Sequence, residues 1–370
     1  MPDVSDAVVR LSACDCLTPF GDAAATHAAL LRGERALHPV PVLGRLGGDD
    51  VPLALLPGRA LDETEPPSWH GAIRALVAPV SDRPWGSARF PVCATSSNFG
   101  VGSLFAFRHG GAADFVQHGT PHASVAAIAR ACGWGGNIVV FSHACVSAHL
   151  GLMHAARLLQ AGAAEEVLVF TFDFLSPFVA GGFHALKILN GQMPAPYAAR
   201  ETGSIGLGDG AAYAVLSRSR GDMLLVAQAL HNEMHHFTAN QSDGAGFAAA
   251  LAPVAEAARG LRVWLKGHGT GTLDAGRLEA EAMQRAFPGA PLVGWKGSLG
   301  HTLGSCGLVE LALVRRSLQT GRAPGAVGSA SPTFTDTVAL DPLDTRASDA
   351  VVCTSNAFGG AHAALLLRHA

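Results

Sequence analysis

Asn137-Ile-Val-Val-Phe141, followed without a break by Ser142-His-Ala-Cys-Val-Ser-Ala-His-Leu-Gly151, is the stretch from which this chain is best read. The first five residues form an apolar run that predicts a buried strand. A helical pattern follows from Leu150 to Ala161. Cys145 therefore falls at a strand-to-helix turn, at or near a helix N-terminus, where the partial positive charge favours thiolate over thiol. Its neighbours Ala144, Val146, Ser147 and Ala148 are small enough to let a substrate approach. A buried structural cysteine fits the segment as well, since free cysteine is a common core residue. Two motifs downstream bear on the choice.

The pattern around this stretch extends through the chain. Strands are expected at Val8–Ala13, Glu166–Thr171, Gly210–Leu216, Met223–Leu230, Arg262–Lys266 and Val351–Ser355. Helices are expected at Asp22–Arg32, Ser68–Ala78, Pro121–Cys132, Phe183–Leu189, Phe247–Arg259, Leu278–Phe287 and Gly304–Thr320. Residues 33–66, rich in Pro and Gly, read as loop with short strands. Alternating strands and helices in two similar runs predict a layered α/β fold with two pseudo-equivalent units. The boundary between them falls at the charged turn Ser217–Asp222, with no flexible linker.

With 370 residues, the chain is long enough for one large or two similar domains. Its 44 glycines and low charged content suit a compact α/β enzyme and argue against disorder. The formal net charge of −3 provides no global basic field for nucleic acid. No apolar run reaches the roughly 18–20 residues that span a bilayer. The opening Met1-Pro-Asp-Val-Ser-Asp6 is acidic and polar, so no signal peptide is expected. Seven cysteines at irregular spacing do not make a disulfide framework, and a reducing cytoplasm is the simpler reading.

The second motif is Lys266-Gly-His-Gly-Thr-Gly-Thr272. A strand runs into it, and glycines on both sides leave His268 uncrowded and let backbone approach a ligand. A plain Gly-His-Gly turn is the alternative. The third is Gly294-Trp-Lys-Gly-Ser-Leu-Gly-His-Thr-Leu-Gly-Ser-Cys-Gly-Leu-Val-Glu310, which sets Lys296 and His301 among glycines ahead of a helix carrying Glu310. Lys296 follows an apolar strand and adjoins Trp295. If it is buried it needs a carboxylate, for which Glu310 is the candidate. One cysteine with two glycine-flanked histidines suits acyl transfer through a thioester. The thiolate attacks one carbonyl while two neutral imidazoles donate to a second and stabilise an enolate. No metal or organic cofactor is called for. His231 and His235 do not match the His-Glu-x-x-His zinc pattern, and Cys14 and Cys16 have no partner pair.

These motifs resemble the β-ketoacyl-ACP synthase (ketosynthase) family of the thiolase-like superfamily. The carrying residues are His143-Ala-Cys-Val-Ser147 with His154-Ala-Ala-Arg157, His268-Gly-Thr-Gly-Thr272, and the run from Lys296 to Glu310. Weaker echoes are Gly182-Phe-His-Ala-Leu186, Gly206-Leu-Gly-Asp-Gly-Ala211, His235–Ala239 with Asp243-Gly244, and Asn356-Ala-Phe-Gly-Gly360. The resemblance implies a thiolase-like fold of two βαβαβ-type halves in an αβαβα arrangement, with residues 1–218 carrying the nucleophile and 219–370 both histidines. It implies that Cys145 accepts an acyl group from an acyl carrier protein. His268 and His301 would support malonyl-ACP decarboxylation, and Lys296 with Glu310 would order the site. The N–H groups of Cys145 and Phe358 would form the oxyanion hole, with Phe358 also a gate at the acyl pocket. The implied partners are acyl- and malonyl-loaded carrier protein and a second ketosynthase-like subunit, in a homodimer or heterodimer. Arg108, Lys187, Arg200 and Arg315-Arg316 are candidates for contacting the acidic carrier.

Several positions depart from the family pattern. Gly276 stands where the family has Asp, Gly297 where it has Ser, and His143 where it has a small or hydroxyl residue. The C-terminal glycine stretch retains only Phe358-Gly-Gly360. These departures point to a specialised member in fatty-acid, polyketide or polyene synthesis. Two alternatives stand beside condensation. One is an acyltransferase on the same fold, and the other is a partner subunit like the chain-length factors, which usually lose the cysteine.

Overall fold

The computed structural model describes residues 8–62, 69–236 and 238–370. The opening Met1–Asp6 stretch, Ser68 and Phe237 lie outside the described residues. A mixed ten-stranded sheet organises the chain. Its first five strands are β1 (Val9–Leu17), β2 (Val92–Thr95), β3 (Ile138–Phe141), β4 (Glu166–Asp173) and β5 (Gly210–Ser217). The second five are β6 (Met223–Asn232), β7 (Val263–Lys266), β8 (Leu292–Val293), β9 (Ala350–Ala357) and β10 (Ala361–His369).

From the edge inward, the first half runs β3-β2-β4-β5-β1 and the second β8-β7-β9-β10-β6. Position by position these orders correspond, and so do the senses. The three outer strands of each half are parallel, and the next two are added antiparallel. The halves join where Val9–Leu11 of β1 pairs antiparallel with Met223–Leu225 of β6.

Strand alternation builds the layers. In β4, Val167 and Val169 face a core shared with the helices Ser147–Gln160 and Cys306–Thr320. Leu168, Phe170 and Phe172 face the opposite way, onto Ile73, Val77, Val125 and Ile128 of the helices Trp69–Val77 and Pro121–Cys132. The second half repeats this. Val351, Cys353, Leu365 and Leu367 join the central core, while Val352, Ala364 and Leu366 pack against the helices Ala245–Ala257 and Leu273–Ala286. The chain therefore has five layers: helices, sheet, the two central helices, sheet, helices. This is the thiolase-like arrangement.

Local expectations differ from the structure at several points. The helix expected at Phe183–Leu189 is Pro177–Ala185, because Ser176 caps it and Pro177 fits its first turn. The helix expected at Leu150–Ala161 begins at Ser147, and that at Leu278–Phe287 begins at Leu273. Gly304 lies in a 3-10 turn ahead of the Cys306–Thr320 helix. Strands β2 and β10 and the helix Val101–Arg108 are additions to the sequence reading.

Candidate active site

Cys145 and His301 occupy corresponding places. Each follows the third strand of its half and precedes the helix that enters the central layer. The turn before Cys145 is tight, and Ala144 adopts a left-handed φ of 44°. Such strain costs about 1–3 kcal/mol and needs local support. Ser147 provides it. Its Oγ donates to the Ala144 carbonyl at 2.7 Å and accepts the His143 N–H at 2.8 Å. The Cys145 carbonyl accepts the Ser355 hydroxyl of β9 at 2.9 Å, which fastens the turn to the second half. The His143 ring reaches across as well, with Nε2 3.1 Å from Asn232 Oδ1 at the end of β6.

His301 is held by its backbone and by one ring nitrogen. Its N–H donates to Gly206 O at 2.7 Å, and its carbonyl accepts Gly208 N–H at 3.1 Å. Gly300, just before it, has φ 70°, and a Cβ there would lie 2.5 Å from the Leu207 carbonyl carbon. Only glycine fits this approach. The Leu303 N–H donates to His301 Nδ1 at 3.2 Å, so the neutral ring carries its proton on Nε2. That nitrogen lies 2.9 Å from Cys145 Sγ. The His268 ring stands edge-on to His301, with centroids 4.9 Å apart and planes at 88°.

His268 is fixed through its main chain. Glu279 Oε1 accepts the His268 N–H at 2.8 Å, and Oε2 accepts the Gly269 N–H at 3.0 Å. The same carboxylate takes Tyr197 OH, Thr354 Oγ1 and Asn356 Nδ2 at 2.7–2.8 Å. Lys296 Nζ donates to the His268 carbonyl at 2.8 Å and to Glu310 Oε1 at 2.6 Å.

Electrostatics fix the protonation states. Burial, Lys296 and other neighbouring cationic or imidazole groups push both His268 and His301 well below the ordinary histidine range, so both rings stay neutral. Burial first, then the Cys306 thiol, push the Cys145 thiol up, while Lys296 opposes. This corrects the expectation of a thiolate favoured by a helix terminus. The helix begins two residues after Cys145, and desolvation outweighs its dipole. The His301 Nε2–H donor therefore offers direct stabilisation to the sulfur anion. Burial works against the Lys296 ammonium, but Glu310 outweighs it and raises Lys296.

Sulfur and the two imidazoles lie within 4.8 Å, a separation that a cation could in principle bridge. The Sγ–Nε2 distance of 2.9 Å is nevertheless a hydrogen bond, shorter than the roughly 3.5 Å between a sulfur and a nitrogen sharing tetrahedral zinc. Two buried lysines behind the site also oppose a cation.

A cavity of about 550 Å³ opens onto the three groups. Phe358, on the hairpin between β9 and β10, lines it and stacks on Phe183 with centroids 6.1 Å apart. Thr270, Thr272 and Asn356 add polar wall. The structure thus brings Cys145, His268, His301, Lys296 and Glu310 together and sets Phe358 on the cavity wall. The sequence reading left Lys266, Glu279, Ser355 and Asn356 without roles. A lysine closing an apolar strand was the available signal for Lys266. Asp209 holds Arg59 and the Leu56 and Leu175 amides, and is structural.

The chain is similar to known proteins. The family described as Beta-ketoacyl synthase, C-terminal domain, matches residues 224–329. The chain is 29% identical over 258 residues to 3-oxoacyl-[acyl-carrier-protein] synthase 2 of Vibrio harveyi, covering 63% of this chain and 62% of that protein. It is 27% identical over 265 residues to the tetracenomycin polyketide synthase ketoacyl synthase alpha subunit of Streptomyces glaucescens, covering 65% and 62% respectively. The match thus spans 62% of the length of these two curated relatives. A ketosynthase from Xenorhabdus doucetiae, solved in complex with its chain length factor, superposes with a TM-score of 0.84 at 20% identity, covering 98% of both chains.

Proposed function

We propose that this chain, which has the thiolase-like fold, is a member of the β-ketoacyl synthase family and works as a β-ketoacyl-ACP synthase. Cys145 takes an acyl group from a carrier protein and releases the carrier thiol. Malonyl-ACP then enters, and its thioester carbonyl sits between the neutral rings of His301, which presents its Nε2–H, and His268. Loss of CO2 leaves an enolate that these neutral rings stabilise. Its carbon attacks the Cys145 thioester, giving β-ketoacyl-ACP and returning the sulfur as thiolate. The observation that carries this reading is the neutral His301 ring, with its proton on Nε2, 2.9 Å from Cys145 Sγ beside an orthogonal His268. Transfer alone would need one base. A pair of neutral imidazoles suits an enolate.

The finer assignments follow from this proposal. The amides of Cys145 and Phe358 form the oxyanion hole, and Phe358 with Phe183 gates the cavity. The halves divide at residues 218 and 219. Lys187, on the cavity wall, meets the acidic carrier, whereas Arg277 is engaged by Glu281 at 3.2 Å and Arg315 by Asp222 at 2.9 Å. A second subunit pairs along β3. That strand is an edge strand with four half-buried apolar residues, whereas its counterpart β8 is covered by the chain's own 337–339 segment. The retained cysteine and histidines make this chain the condensing member of such a pair. The departures at His143, Gly276 and Gly297 suit a specialised fatty-acid, polyketide or polyene pathway. All seven cysteines are free, as suits a reducing cytoplasm. Among the described residues no helix is long and apolar enough to cross a membrane.

The deciding experiment is intact-mass analysis of malonyl-loaded carrier mixed with this chain and a panel of acyl-carrier donors, with a Cys145→Ala control. A product carrying the donor acyl plus a two-carbon keto unit, absent in the control, is expected. Acylated Cys145 with no such product, in the presence of a candidate partner subunit, would overturn condensation in favour of transfer.

A further inference from the structure

Lys266 has no role in the mechanism above, yet it closes the strand that leads into His268 and is fully buried. Its ammonium pairs with Glu310 Oε2, while Lys296 takes Oε1 of the same carboxylate. Lys296 also donates to the His268 carbonyl at 2.8 Å. A line of contacts therefore runs from Lys266 through Glu310 and Lys296 to the backbone of a histidine. The Trp295 ring, 5.8 Å from the Lys266 nitrogen, closes one side.

One lysine would satisfy Glu310. A second buried ammonium is costly in a dry interior, where desolvation outweighs much of the ion-pair attraction. Burial and the Lys296 charge push Lys266 below the ordinary lysine range, with Glu310 opposing. A buried charge that packing does not require, placed beside a reactive site, points to function. The charged or titratable groups facing the two imidazoles are Lys266, Lys296, His149, Glu279 and Cys145.

We infer that Lys266 is a positioning residue of the condensing site, a role that rests on the function proposed above. It clamps Glu310 so that Lys296 stays on the His268 carbonyl, and it places positive charge behind the two imidazoles where enolate charge develops. Lys266 touches no substrate and acts through Glu310 and Lys296.

The test is Lys266→Met, which leaves Lys296 and Glu310 as a neutral pair. Three quantities are compared with wild type: melting temperature, Cys145 acylation by an acyl-carrier donor, and decarboxylation of malonyl-ACP. The expected variant melts no lower than wild type, acylates within about threefold, and decarboxylates about tenfold or more slowly. Carbon-13 histidine NMR should place the His268 and His301 titrations at higher pH in the variant. Wild-type decarboxylation by the folded variant overturns the inference. So does a lowered melting point with unchanged decarboxylation per folded molecule, which marks a merely structural lysine. If Lys266→Met does not fold, Lys266→Gln takes the same measurements. If the wild type itself neither condenses nor decarboxylates, the proposed function fails. The histidine titration then decides for Lys266, with raised imidazole titrations supporting its role and unchanged ones overturning it.

Discussion

Cys145 Sγ lies 2.9 Å from His301 Nε2, and the two residues come from corresponding turns of the two halves, each between a third strand and a central helix. The approach of these turns across the central layer makes the site. The Leu303 N–H on Nδ1 fixes His301 as a donor toward the sulfur. The ring can therefore serve a thiolate or a developing enolate, but it is not poised to accept the thiol proton on Nε2.

His301→Ala removes that donor. Decarboxylation of malonyl-ACP should fall by about 10²–10³, the usual cost of one oxyanion donor. Acylation of Cys145 should persist, slowed by about tenfold at most. Intact-mass kinetics of the two half-reactions make the comparison. Equal loss in both would count against the separate roles.

The half-reactions should differ in pH dependence. The thiol of Cys145 is held above its ordinary range, so acylation should still be rising as pH passes about 8.5. Both imidazoles are held well below their ordinary range and remain neutral donors as pH falls. Decarboxylation should therefore show no acid limb near 6.5, the ordinary histidine value. A limb there, in rates measured on purified protein, would contradict neutral buried rings.

Glu310→Gln strands two buried ammonium groups, whereas Lys296→Met leaves Glu310 paired with Lys266. The first should lose about 3–5 kcal/mol of stability and the second distinctly less. Urea unfolding monitored by circular dichroism measures both. Equal losses would show that Lys266 does not act as a partner of Glu310.

Phe183 and Phe358 stack with planes at 26°. Truncating either to Ala should change acylation rates with bulky donors, and the double variant should add little to a single one. The coupling should be about 0.5–1.5 kcal/mol for an aromatic pair, read from the donor rate constants. Independent, additive effects would mean that the two rings do not act as one gate.

Much of this protein was legible along the chain. The continuous apolar run around Val169 marks a strand buried in the layers, because such a strand has no wet face to alternate toward, whereas the run around Val139, expected to be buried, is a half-buried edge strand. Cys145, His268, His301, Lys296 and Glu310 stood out because glycines and small residues isolate chemically demanding side chains. Strand β10, Ala361–His369, was hidden because its Ala-Leu-rich sequence suits a helix. Pairing with β9 and β6 on both sides overrides that preference. Helix starts at Ser147, Pro177 and Leu273 were blurred because capping and tertiary packing set the first turn.

The sequence by itself determined the layered fold and the residue types able to carry thioester chemistry, since apolar periodicity and reactive side chains are local properties. Only the tertiary structure decided that Cys145 meets His301, that Leu303 sets the tautomer, and that Glu279 gathers five donors behind His268. It alone placed Lys266 on the far side of Glu310. These relationships depend on distance and desolvation between segments far apart in the chain, and both exist only once the two sheets close over the central helices.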